Sequence, residues 1–110
     1  MLFRSVSPNA FFTDRRAPIV ALAARYALPG AYAWREYPEA GGLSSYGPSV
    51  VWAYHQIGEY AGRILKGAKP GDLPVQMPGK IEQIINIKVA KSLGLMIPRI
   101  TLARTDETIE

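Results

Sequence analysis

Early in the chain the apolar positions change period twice. In TDRRAPIVALAARYALPG, Ile19, Leu22, Ala23 and Tyr26 fall at i, i+3, i+4 and i+7, the spacing of one helix face. Thr13 or Asp14 is the expected cap. Pro18 lacks an N–H and its ring crowds the carbonyl four residues back, so the regular helix is expected to begin near Arg16, with Pro29 and Gly30 ending it. On either side the apolar residues run together instead. Leu2–Val6, stopped by Ser7, Pro8 and Asn9, and Gly30–Trp34, aromatic and bounded by turn residues, both read as short strands.

The middle of the chain, EAGGLSSYGPS, mixes glycines and hydroxyl side chains between two ordered regions. REYPEAGG predicts a turn of helix broken at Pro38 and Gly41, and LSSY a third strand. Ser49 is the expected N-cap of the longest helix, VVWAYHQIGEYAGRILKG, with Val50, Tyr54, Ile57, Ala61, Ile64 and Leu65 on one face and Gly67 at its end. Gly58 and Gly62 inside it each cost about 1 kcal/mol relative to alanine, which predicts a close backbone approach on that face.

AKPGDLPVQMP is a proline-rich connection. KIEQIINI then reads as a strand and KVAKSLGL as a short helix capped by Asn86, ended at Gly94 and barred from continuing by Pro98. The tail RITLARTDETIE, half polar, is expected to be extended or partly loose. Strands alternating with helices predict an α/β layered fold, a mostly parallel sheet flanked by helices, forming one structural unit.

Composition narrows the chemistry. The 110 residues suffice for one domain, able to bury about 65% of the surface of the unfolded chain. Residues are 48% hydrophobic and 20% charged, the balance of a globular chain. The net charge of +4 is spread from Arg15 to Arg104 with acids interleaved, so nucleic acid is not an expected partner. With no cysteine, disulfides, thiolate catalysis and cysteine-based zinc sites are excluded. One histidine and scattered carboxylates form no metal-ligand pattern, and no cofactor is expected. His55, Glu59 and Arg63, each four apart, read as an exposed charge ladder rather than a catalytic set. No segment is apolar enough to span a bilayer, and MLFRSVSPNAFF is too interrupted for a secretory signal, so the chain as written is expected to stay in the cytoplasm.

The pieces IVALAARYALPGAY, EAGGLSSYGPS, RILKGAKPGDLPVQMP, INIKVAKSLGLMIP and LARTDETIE, in order, resemble the C-terminal part of the ABC transporter substrate-binding protein family, which includes a tryptophan-binding type. The resemblance implies part of a two-lobed, type I periplasmic-binding-protein fold, with a small molecule such as an amino acid held in the interlobe cleft. It also implies an ABC permease as partner and an extracytoplasmic place for the intact relative. On this reading residues 1–47 belong to the second lobe, and residues 48–110 return toward the first. The stretch Glu39–Ser49 is the expected hinge. Asn9, Ser44 and the stretch 79–82 depart from residues common in the family.

In open α/β sheets ligands bind beyond the carboxyl ends of the strands. That rule selects Ser7, Pro8, Asn9 and Phe11 after the first strand, Trp34, Arg35 and Glu36 after the second, and Ser45, Tyr46 and Gly47 at the third. Tyr46 or Trp34 would stack on a flat ligand and Arg35 would pair with its carboxylate. The competing reading makes Trp34 core and Arg35 solvated. No residue is expected to be catalytic. The apolar stripe of the long helix, left open in so short a chain, predicts a homodimer, by exchange of that helix or of the terminal strand. The alternative function is a ligand-free dimeric α/β interaction module.

Overall fold

A computed structural model describes residues 4–110. Of the strand expected over Leu2–Val6, Leu2 and Phe3 lie outside the described residues, and β1 is Arg4–Ser5. Helix formation begins earlier than Thr13 or Asp14. Asn9, at φ −139°, accepts through Oδ1 from the Phe11 N–H at 2.8 Å and opens α1, Ala10–Asp14. Arg15 interrupts, and α2 runs Arg16–Arg25. The break lies where the Pro18 ring would meet the Asp14 carbonyl, which is why the two helices do not merge. Beyond α2 the chain turns through Ala27, at φ 50°, with Leu28 N–H donating to the Ala23 carbonyl at 2.8 Å. Glycine is the usual residue for that geometry, and alanine holds it at a cost of about 1 kcal/mol.

β2 is Gly30–Tyr32, α3 is Glu36–Glu39 and β3 is Ser44–Pro48. Later come α4, Val50–Leu65, a 3-10 turn at Pro70–Asp72, β4, Ile81–Asn86, and α5, Ile87–Ser92. The tail is extended only at β5, Glu107–Ile109; before it Pro98 accepts from the Thr101 and Leu102 N–H groups to start a helix, α6, Arg99–Ala103.

The five strands form one sheet in the order β1-β2-β3-β4-β5. Arg4 lies opposite Gly30, Ala31 opposite Ser44, and Ile84 opposite Glu107, each of these three pairs parallel. The Asn86 N–H reaches the Leu43 carbonyl at 2.8 Å. The end of β4 therefore lies at the start of β3, and the β4–β5 pair runs opposite to β1–β3. The sheet is mostly parallel and flanked by helices, an α/β fold of the kind the alternating pattern predicts.

The described residues gather into two compact units, one of residues up to Gly47 with Glu82–Glu110, the other Pro48–Ile81. In the first, Val20, Tyr32 and Tyr37 make a core against which Val6, Ile19 and Trp34 pack. The Tyr32 and Tyr37 rings stack 4.4 Å apart at 8°. Gly42 lets the chain pass over them, since a Cβ there would lie 2.8 Å from the Tyr32 ring and 2.9 Å from the Tyr37 carbonyl oxygen. Asn86 is buried, accepts from the Val89 N–H at 3.1 Å to cap α5, and donates through Nδ2 to the Pro38 carbonyl at 3.0 Å. One side chain thus satisfies a helix start and the carbonyl of a neighbouring turn.

In the second unit Ser49 caps α4, its Oγ accepting from the Trp52 N–H at 3.3 Å, and its own N–H donates to the Lys80 carbonyl at 2.9 Å. The Tyr60 hydroxyl donates to the Pro74 carbonyl, and Gly79 sits where a Cβ would meet the Trp52 ring at 2.6 Å. The expected close approach at Gly58 and Gly62 is absent. A Cβ at either would find no atom of the described residues within 4 Å.

Candidate functional site

Because β1, β2 and β3 are parallel, their carboxyl ends share one edge of the sheet, and the segments leaving them are brought together there. Ser7 is exposed after β1. Asn9 is exposed too, and spends its side-chain oxygen on the start of α1. Trp34, beyond β2, is half-buried against the Val20, Tyr32 and Tyr37 core. Strand alternation separates the next pair. Ser45 is 3% exposed, opposite Tyr32, while Tyr46 turns outward and is 68% exposed. At Gly47 a Cβ would run into the Ala33 carbonyl oxygen, so the turn after β2 and the end of β3 touch backbone to backbone. Only glycine allows that approach.

Arg35 is partly exposed, and its donors are taken up by acids of this chain. It donates through Nε to Glu39 Oε1 and through Nη2 to Glu107 Oε2, both at 2.8 Å, and lies 3.7 Å from Glu82. Those hydrogen bonds hold the guanidinium more firmly protonated than usual, Glu39 contributing most and Glu107 next. One positive charge thus faces three carboxylates. Close by in sequence, Glu36 Oε2 and the Tyr37 hydroxyl are buried with no hydrogen-bond partner among the described residues. The Tyr32 phenol is pushed above its ordinary 10.0, chiefly by burial and then by Tyr37.

Cavities lie elsewhere in the same unit. One of about 200 Å³ is mainly apolar, lined by Val20, Ala23, Ala27, Leu28, Tyr32 and Leu93 among others. A larger one, about 490 Å³, opens at the ends of β4 and β5 beside Glu39, Asn86, Lys88, Ser92, Ile109 and Glu110. Neither is lined by Ser7, Asn9, Trp34, Arg35, Ser45, Tyr46 or Gly47. Sequence reasoning missed the second cavity because it left the tail extended or partly loose without pairing it to β4. On α4, His55 Nδ1 lies 3.7 Å from Glu59 Oε1 with both side chains exposed, the geometry of a surface pair.

Residues 8–109 match the model of the ABC transporter substrate binding protein family, and the chain belongs to that family. Among solved structures it is similar to a "conserved domain protein" of Vibrio cholerae O1 biovar El Tor, with 30% identity and a TM-score of 0.81 over 94% of this chain and 35% of that one. It is also similar to an ABC domain from Streptococcus pneumoniae crystallised with L-Trp, with 27% identity and a TM-score of 0.86 over 96% of this chain and 36% of that one. A ligand-free, open substrate-binding protein with adhesive properties from Clostridium difficile shares the fold, with 22% identity and a TM-score of 0.65 over 96% of this chain and 35% of that one. No curated protein matches. The chain therefore spans about a third of the length of the solved structures it resembles. The family is one of solute-binding proteins rather than enzymes. No helix among the described residues is long and apolar enough to cross a membrane.

Proposed function

We propose that these residues supply one wall and the hinge segment of the solute-binding component of an ABC-type importer, capturing a small molecule of the amino-acid class by lobe closure. The observation that carries this reading is the shared carboxyl edge of β1, β2 and β3, which brings the segments after β1 and β2 beside outward-facing Tyr46 in a chain of this family. Likeness to a structure holding L-Trp supports a ligand with an apolar or aromatic side chain. In this scheme Tyr46 stacks on that side chain and Trp34 backs the wall. Ser7, and the amide nitrogen left to Asn9, offer hydrogen bonds. Arg35 holds the wall together instead of binding the ligand's carboxylate, since its donors are directed at Glu39 and Glu107.

We assign residues 4–47 to the second lobe, with Gly41–Gly47 leading into the hinge. Of the later residues, Pro48–Ile81 make the run toward the first lobe, since residues 82–110 share a compact unit and a sheet with 4–47. Rotation concentrated at the ends of β3 and β4 is what closure of this kind needs. The partner is an ABC permease and the working compartment extracytoplasmic. No bond is made or broken, so selectivity rests on cleft contacts and the closure equilibrium.

The test is ligand-induced stabilisation of a hybrid in which this chain replaces the matched third of the Vibrio cholerae protein. A rise in melting temperature with aromatic or branched amino acids, cut at least about tenfold in affinity by Tyr46→Ala, is expected. No shift with any amino acid at millimolar concentration overturns the reading.

A further inference from the structure

The smaller cavity of the first unit, about 200 Å³, lies at the amino ends of β2 and β3, the edge opposite the wall described above. Leu28 leads into β2 there and Gly42 into β3, while the last turns of α2 and the end of α5 close over them. Protein interiors hold few voids larger than one water, and this one is several times that size. It stays open because its walls are small. Gly41 stands at φ 105°, and a Cβ at Gly42 would lie 2.8 Å from the Tyr32 ring. Ala23 and Ala24 stand in α2, where leucine is nearly as good a helix former and would fill the space.

Tyr32 supplies the polar group. It lines the cavity, is 5% exposed, and its hydroxyl makes no hydrogen bond among the described residues. A Cβ at Gly30 would meet the ring carbon bearing that hydroxyl at 2.6 Å, so the hydroxyl reaches back along β2 to the cavity's end of the sheet. Burial, and then Tyr37, push the phenol above its ordinary 10.0, so at neutral pH it stays protonated and can both donate and accept. A buried hydroxyl without a partner is costly, and a ligand that bonds to it removes the cost.

We propose that this cavity is a second binding site, for a compact uncharged molecule of one aromatic ring with a single hydrogen-bonding group, the phenol class. It stands apart from the ligand proposed for the carboxyl edge and does not depend on it. Volume sets the size, since an engineered apolar cavity of about 150 Å³ takes up benzene. The lining sets the charge. No ionisable side chain but the protonated Tyr32 borders the cavity, so a zwitterionic amino acid would lose its hydration there with nothing to replace it. A rigid ring gives up less freedom on entry than a flexible chain of equal volume, and one hydroxyl on it meets the one hydroxyl waiting. Gly41, Val89 and Ser92 also border the larger cavity, which opens to solvent and gives a way in.

Titration with phenol and with toluene, followed by NMR on the isolated chain and on the hybrid with the Vibrio cholerae protein, tests this. In both proteins the expected result is saturable amide shifts confined to the segments around Ala23, Gly42 and Leu93, with cross-peaks from the ligand ring to the Leu28 and Leu93 methyls. Tyr32→Phe is expected to weaken phenol about three- to tenfold and leave toluene unchanged. Ala23→Leu is expected to abolish binding of both. Should that variant not fold, Ala24→Leu, at an exposed position, closes the same space. Absence of saturable shifts with either compound, or shifts scattered over the surface, overturns the proposal. So does undiminished binding by a folded leucine variant, or equal phenol affinity in Tyr32→Phe. Binding by the isolated chain but not by the hybrid overturns it too, since further polypeptide would then fill the cavity.

Discussion

The guanidinium of Arg35 donates through Nη2 to Glu107 Oε2 at 2.8 Å, fastening the turn after β2 to the edge strand 72 positions later. Arg35 is 32% exposed and Glu107 50%, so solvent screens the pair. Glu107→Gln is expected to destabilise the chain by less than about 1 kcal/mol, an effect that shrinks as salt is raised. Arg35→Met should cost more, roughly 1–2 kcal/mol, because it leaves Glu39, Glu82 and Glu107 facing one another. Urea denaturation at low and high salt measures both.

Asn86 serves a helix cap and a buried carbonyl together, so Asn86→Ala should cost about 2–3 kcal/mol. Asn86→Asp separates the roles. It keeps the cap acceptor but loses the donor to Pro38 and places a carboxyl at a buried site. Burial raises that carboxyl above its unfolded value of about 4, so the variant should be least impaired in acid and weaken as pH rises through the carboxylate range. Chemical denaturation of the two variants across that range reads the difference.

The Tyr32 phenol titrates above 10.0 in the folded chain. Below that pH it is neutral in both states and adds no slope to stability. Above it the unfolded chain ionises first, so its contribution falls as pH rises through the folded value. Tyr32→Phe is expected to flatten this alkaline loss, seen by comparing denaturation midpoints near neutrality and above about pH 10.

Three small residues should respond in different directions. Gly58→Ala meets open space on a helix and is expected to stabilise the isolated chain by up to about 1 kcal/mol. Ala27→Gly relieves a left-handed alanine and should gain roughly 0.5–1 kcal/mol. Gly47→Ala forces a methyl onto the Ala33 carbonyl and should lose several kcal/mol, about 2–4, or fail to fold. Thermal unfolding of the three variants ranks them.

Much of the architecture was legible in the residues. Ser49 and Asn86 sit at their caps because a side-chain oxygen one residue before an apolar-periodic run has little else to do, and alternation of strands with helices gave the sheet. Local pattern could not reveal what distant residues decide. Asn9 starts a helix ahead of Thr13 because its carboxamide reaches Phe11, and the tail orders because Gln83 and Asp106 exchange hydrogen bonds across 23 positions. At the sheet edge, sequence offered Tyr46 and Trp34 alike as stacking residues with core as the competing reading for Trp34; the fold leaves Tyr46 exposed and packs Trp34 against the core. It could not see that Arg35 is tied to an acid at the far end of the chain.

The crowding of Gly47 by Ala33 reaches down to the gene. Every single-nucleotide change that alters a glycine codon without creating a stop installs an amino acid with a β-carbon. Codon 47 thus has no missense neighbour that keeps this turn intact, and mutational drift is confined there to synonymous letters.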